Sequence, residues 1–395
     1  MGLPKHLSEA DIEELGRELD HIRNEVMATR GDRDRAYILG LIRAQRMLAL
    51  GGRVVMFLSL LLSPAAGFAF GSYPLFLAGI GVGAAMLGVA KILENMEIGH
   101  NVMHGQWDWM RDPEIQSNTW EWDNVCPSDQ WKHSHNVVHH TWTNVFGRDP
   151  DVGYGLLRVS PEQPWAPRYL FQPISNFLLM ALFEWGVAVH DLEHEKLMSG
   201  ERSLESVQPM LRRIRWKASR QVLKDYVLWP ALAAILTVPF AIVFGRELAP
   251  TAGFAFGSVA AANFVANVVR NVWSNMIIFC GHFPAGVHHF TVAEVEGETR
   301  ARWYVRQIMG SCNIGGGKLF HILSGNLSHQ IEHHVFPDMP SNRYPEVAPR
   351  VRALAARYRL PYNTGSLTRQ FGTTTWIIWR LAFPGGGSTR PVAPA

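Results

Sequence analysis

Four long apolar stretches interrupt an otherwise polar chain. Residues 54–71 are nearly free of charge, a Gly-Ser-Tyr-Pro run beginning at Gly71 turns the chain, and residues 75–93 are apolar again. A second pair, 227–245 and 251–269, is separated only by the short run 246–250. Each stretch approaches the roughly 20 residues that a membrane-crossing helix needs. The pattern predicts an all-α integral membrane protein with four transmembrane helices in two hairpins. Four buried helices of a large soluble core are the alternative, but bilayer-length runs with almost no charge argue against it.

The segments between and around these stretches read differently. Residues 8–28 predict a solvated helix with Ser8 as its N-cap and Asp11 as the box partner. A second helix follows through Arg43, Arg46 and Arg53, so residues 1–53 are expected to form a polar cytoplasmic arm and 54–383 the membrane body. Residues 173–190 are apolar and aromatic but contain Glu184, which suits an amphipathic helix lying in the membrane interface. Residues 344–357 predict another amphipathic helix, and 376–383 a contact with the membrane surface. The Gly- and Pro-rich tail 384–395 is expected to be disordered.

Charge orients the hairpins. The tight turns are poor in Lys and Arg, whereas Arg43, Arg46, Arg53 and Lys91 flank the first hairpin and Arg212, Arg213, Arg215, Lys217, Arg220 and Lys224 precede the second. The positive-inside rule then puts both termini and the long central segment on the cytoplasmic side. The second basic group could also hold anionic lipid headgroups or a phosphate-bearing carrier. No signal peptide opens the chain, since the first 50 residues lack an apolar core.

Composition narrows the class further. Of the 395 residues 47% are hydrophobic, while the net charge of +3 is too mild to suggest nucleic-acid binding. Cys126, Cys280 and Cys312 show no metal or disulfide spacing and read as reduced thiols. The 17 histidines are the oddity, because most of them cluster. His100 and His104 stand in G-H-N-V-M-H-G just past the second apolar stretch. His133, His135, His139 and His140 fall in W-K-H-S-H-N-V-V-H-H-T-W-T-N, and His329, His333 and His334 in S-H-Q-I-E-H-H-V-F-P. His282, in C-G-H-F-P, follows the fourth stretch. On an α-helix His135 and His139 share a face, with His140 one step round.

One H-x-x-x-H is usually a surface feature. Three clusters around two hairpins supply more imidazoles than one ion accepts, since zinc sites close at four ligands. Two ions with vacant positions account for the number, and a nitrogen-rich open site suits iron doing oxygen chemistry. Metal-bound imidazoles normally donate their second N–H to an acid or carbonyl, and Glu94, Glu97, Asp149, Asp151 and Glu332 lie close in sequence. Asn263, Asn267, Asn271 and Asn275 form a polar stripe at i,i+4 steps. The first two read as interhelical hydrogen-bond glue, and Asn271 and Asn275 are expected beside the metals. His190 and His194 read as surface residues of a charged helix, His288 and His289 as solvent-exposed, and His6, His21 and His321 as ordinary.

Over about residues 93–370 the pattern resembles the membrane fatty acid desaturases, most specifically at H-N-V-V-H-H-T-W-T-N and G-N-L-S-H-Q-I-E-H-H-V-F-P-D-M-P-S-N-R-Y. It is most similar to bacterial acyl-CoA and acyl-lipid desaturases whose third histidine box begins with Gln. The resemblance implies a helical cap on the cytoplasmic side of the bacterial inner membrane, carrying a di-iron centre that uses O2 and two electrons to desaturate a long acyl chain. By motif, His100 and His104 would be ligands of the first box, His135, His139 and His140 of the second, and His333 and His334 of the third. His282 matches the family's extra histidine by position. Gln330 stands where many relatives have histidine, so His329 or a water is the alternative ligand there. No H-P-G-G haem motif or glycine-rich nucleotide fingerprint is present, which implies a separate electron donor, ferredoxin-like or an NAD(P)H-dependent reductase. A membrane hydroxylase shares the same boxes. A histidine-rich metal transporter would need ligands along the spans, where this chain has almost none.

Overall fold

The computed structural model describes residues 4–66, 71–190, 192, 197 and 200–385. The expected tail from 386 onward, and His194 with its acidic neighbours Asp191 and Glu193, lie outside the described residues. Among the described residues, four helices are long and apolar enough to cross a membrane: Asp32–Leu61, Tyr73–Met103, Leu204–Val243 and Leu248–His282. The first packs along the second and the third along the fourth, and the second and fourth pack on each other to join the two hairpins. At the crossing of the first pair, a Cβ on Gly52 would stand 2.8 Å from the Gly83 carbonyl oxygen, and one on Gly83 would stand 2.6 Å from Met56 Cγ. Glycine at both positions is what permits so close an approach.

The helices overrun the apolar stretches that announced them. The expected arm does not end at residue 53, because one continuous helix of 30 residues, Asp32–Leu61, carries the polar segment into the first span. The fourth span is a single helix of 35 residues, about 52 Å long at roughly 1.5 Å per residue, against about 30 Å of hydrocarbon. Its far end therefore stands clear of the apolar layer, and that end carries His282.

Polar side chains tie the spans together from within. Lys91 Nζ lies 2.9 Å from Asp225 Oδ2. Asn263 Nδ2 donates to the Asp225 carbonyl at 2.5 Å, and Asn267 Nδ2 to Asp225 Oδ2 at 3.2 Å. These two asparagines bridge the third and fourth spans, as the glue reading expects. Arg270 of the fourth span pairs with Glu184, and both are buried.

Glu184 corrects the expectation of one interfacial helix over 173–190. The segment is two helices, Pro167–Ala181 and Phe183–His190, bent by 103°. The bend turns Glu184 inward to Arg270 and to Gln221 Nε2 at 2.8 Å. Leu170, Phe171, Ile174 and Phe177 keep an exposed apolar face on the first of the pair, and Trp376 and Trp379 are likewise exposed on the last helix, Leu367–Leu381, as is Phe383 just past its end.

The cap is built from the first helix and the C-terminal third. Glu9–Ala28 is capped by Ser8, whose Oγ accepts from the Asp11 N–H at 3.2 Å. It is not a free solvated arm. Ile12, Leu15, Leu19, Ile22 and Val26 are buried against Arg300–Met309 and Tyr344–Arg357. The heptad-like spacing of these apolar residues is the signal that the high charge of the segment masked. Two short parallel strands, Asn313–Gly315 and Thr364–Ser366, pair Asn313 with Thr364 and Gly315 with Ser366.

Candidate metal centre

Two of the ligand-bearing segments are π-helical rather than α-helical. Leu93–Gly99 leads into His100–Met103, and Lys132–His139 leads into His140–Trp142. The His100 N–H bonds to the Asn95 carbonyl and the His140 N–H to the His135 carbonyl, each five residues back. Widening the turn beyond 3.6 residues swings His140 back toward the face of His135. That is why all three histidines of the second cluster point the same way, where α-helical spacing had put His140 aside. His133 is exposed, on the other side.

The histidines form two neighbouring groups. His100, His104, His135 and His333 place four ring nitrogens within 4.8 Å of one another, and His139, His282 and His334 place three within the same limit. His140 sits between the groups, its ring 4.8 Å from that of His104 and 4.5 Å from that of His334. The His100 and His333 Nε2 atoms are 3.4 Å apart. His100 and His333, 233 residues apart in sequence, thus meet within ring contact, their centroids 5.1 Å apart.

Buried polar atoms in proteins are nearly always hydrogen-bonded, and here they are not. His104 Nε2, His135 Nε2, His139 Nε2, His282 Nδ1, His334 Nε2 and both nitrogens of His140 are buried without a partner. At His139 and His334 the opposite nitrogen is held, as is Nδ1 of His333. His139 Nδ1 lies 3.0 Å from the Asp149 carboxylate, His333 Nδ1 3.2 Å from the Tyr344 hydroxyl, and His334 Nδ1 3.0 Å from Gln307 Oε1. One nitrogen fixed and the other facing a shared space is the arrangement of metal-bound imidazoles. The donor set fits two nitrogen-ligated ions.

Electrostatics keep the rings neutral. Burial brings the pKa of His135 down to about 4. Burial and then the neighbouring imidazoles put His140, His333 and His334 well below the usual histidine range. A neutral imidazole is the form that binds a metal. At His139 burial acts in the same direction, but the carboxylates of Asp149 and Asp151 outweigh it and raise the pKa.

Other expected residues find different places. His329 stands apart from both groups, its ring stacked 4.6 Å from His321 and its Nδ1 3.9 Å from Glu332. It begins the turn before Gln330–Val335 and so points away from His333 and His334. Gln330 is buried with Nε2 3.1 Å from His282 Nε2, and the absence of a side chain at Gly281 makes room for it, since a Cβ there would meet Gln330 Cγ at 2.9 Å. Asn271 lines the cavity shared with His100, His135, His139 and His282, but its amide is engaged with the Ala181 carbonyl at 2.9 Å. Asn275 is buried with Nδ2 unpartnered and does not line that cavity.

Of the five acids, Asp149 and Asp151 face the rings. Asp151 lies 3.6 Å from His139 Nδ1 and 3.2 Å from His190 Nε2. His190 is accordingly buried and not on the surface. Glu94 accepts instead from the Asp123 N–H, Glu97 from Tyr37 and Ser341, and Glu332 from Asn313 and Tyr362. His289 is half-buried, stacked 5.4 Å from Phe146. Tyr344 and Gln307, which hold the rings of His333 and His334, carried no local signal, because they reach the histidines only through the folded cap. Arg306 donates to the carbonyls of Thr143 and Thr141, and so braces the turn after His140.

Comparison with known proteins agrees with this geometry. Residues 74–366 match the fatty acid desaturase family. The NADPH-dependent stearoyl-CoA 9-desaturase of Mycobacterium tuberculosis is 48% identical over 379 residues, covering 96% of this chain and 82% of the relative. The sn-1 linoleoyl-lipid 6-desaturase of Synechocystis is 24% identical over 71% of this chain and 74% of its own. Delta(5) fatty acid desaturase A of Dictyostelium discoideum is 23% identical over 71% of this chain and 58% of its own. No solved structure matches. The chain belongs to the fatty acid desaturase family.

Proposed function

We propose that the chain desaturates a long-chain acyl-CoA of about stearoyl length at two iron ions, held by His100, His104, His135 and His333 on one side and by His139, His282 and His334 on the other, with His140 between them. The buried imidazole nitrogens without partners carry this reading. Bound iron would supply dioxygen activation, so that an acyl CH2–CH2 unit, O2, two electrons and two protons give CH=CH and two waters.

The chain's own residues supply the rest. Asp149, Tyr344 and Gln307 orient the ligand rings. Phe183, Tyr154, Ile278 and Phe283 line the cavity beside the histidines and suit an alkyl chain. The similarity to the mycobacterial NADPH-dependent stearoyl-CoA 9-desaturase supports stearoyl-CoA as substrate and NADPH as the ultimate reductant. Electrons would come through a separate ferredoxin-like or reductase protein. The basic residues at the metal end of the spans support an active site on the cytoplasmic face of the membrane.

Expression in a host of defined lipid composition, followed by fatty-acid profiling, tests the reading. A new monounsaturated fatty acid is expected, absent with the His334→Ala variant. An oxygen-containing product at the same carbon would contradict desaturation in favour of hydroxylation.

A further inference from the structure

The cavity at the histidines has a mixed lining. Phe183, Ile278 and Phe283 give it apolar surface, and Asn95, Asn124 and Ser274 line it together with His100. Asn95 is the informative member. It is 6% exposed, and Ser274 Oγ donates to its Oδ1 at 3.1 Å. With the oxygen engaged, Asn95 Nδ2 is left buried with no partner. A buried donor left unpaired is costly, so this amide group is set for an acceptor that a ligand brings. Its position is also tied to the chemistry. Asn95 lies in the π-helical turn Leu93–Gly99, and its carbonyl accepts the N–H of His100; π turns recur at functional sites.

A second observation gives the direction from which the ligand comes. Trp122 and Asn124 line this cavity and also an outer groove whose other walls include Trp216, Arg220 and the ion pairs Lys217–Glu121 and Lys224–Asp123. The two spaces share those side chains as a common wall. A ligand whose phosphate-bearing head meets the Arg220 guanidinium in the groove and whose alkyl tail lies by the histidines crosses that wall. The polar atom between head and tail in an acyl thioester is its carbonyl oxygen, an acceptor with no donor of its own.

Resting on the acyl-CoA reading above, we propose that Asn95 Nδ2 donates a hydrogen bond to the substrate's acyl carbonyl oxygen, and that this anchor sets which carbon–carbon bond of the chain lies at the histidines. Asn95 is thus a positioning residue, and Ser274 holds its amide in the donating orientation.

The test compares stearoyl-CoA with its S-octadecyl thioether analogue, which lacks the carbonyl, in equilibrium displacement binding to the iron-loaded enzyme without reductant. A neutral hydrogen bond corresponds to a preference of several-fold up to about tenfold for the thioester. The wild type is expected to show that preference and Asn95→Leu to lose it, with both ligands still binding. With reductant and O2, the wild type should give one double-bond position and the variant a spread over adjacent positions. Asn95→Ala, which adds no bulk, repeats the comparison should the leucine variant fail to fold. An unchanged thioester preference and a single unchanged position in the variants would overturn the proposal, as would a wild type with no preference at all. A wild type that binds with the preference but forms no unsaturated product would count against the proposed reaction and leave the carbonyl contact supported.

Discussion

Asp149 shows how single residues govern the site. Its carboxylate accepts from His139 Nδ1 at 3.0 Å and from the Asn144 N–H at 2.7 Å, so it fixes both a ring and the turn beyond it. Removing such a partner typically lowers metal affinity about 10–100-fold. Asp149→Asn should therefore need more iron for half-loading by that order, measured by titrating iron into the metal-free protein; an unchanged midpoint would refute the role. Asp149 was legible in the sequence because it lies ten residues from its histidine. Tyr344 and Gln307 were not, since nothing local distinguishes a tyrosine or glutamine that meets a ring only after folding. His329 misled for the opposite reason, since adjacency to a histidine pair is not direction, and its ring faces His321.

Among the elements, the π turns matter most. Counting by α-helical period found the clusters but put His140 off the face that it shares with His135. The i+5 bonds restore it, and no residue type announces such a turn. The spans were legible from their apolar length, yet their ends were not, because amphipathic helix continues past the charge-free core at Asp32–Leu61 and Leu248–His282. Between spans, the buried pair Lys91 and Asp225 is a linchpin, both side chains nearly inaccessible. Removing one partner of such a pair typically costs about 3–5 kcal/mol. Asp225→Ala, which leaves Lys91 only its longer 3.6 Å contact with Asp123 and takes from Asn267 one of its two acceptors, should lower the unfolding midpoint in detergent, whereas a melting curve superimposable on that of the wild type would show the pair to be dispensable.

At the scale of the molecule, two hairpins carry His100 and His282 out of the apolar layer, and a cap sewn from the N-terminal helix and the C-terminal third brings His333 and His334 to meet them. The sequence revealed the two parts and the chemistry of their histidines. It did not reveal that the N-terminal helix closes the cap, because its charged face hides a narrow apolar one. Nor could it show that the cavity at the histidines and the groove at Lys217 and Lys224 share Trp122 and Asn124 as a wall, an arrangement made only between elements far apart in the chain.

The claim on which all of this depends is that the two histidine groups each hold one iron. Metal analysis of the purified protein, quantified against protein by amino-acid analysis, addresses it directly. The account predicts two irons per chain, lost on His140→Ala and retained on His329→Ala. A protein that binds no iron, or one whose iron content is the same in both variants, would contradict it.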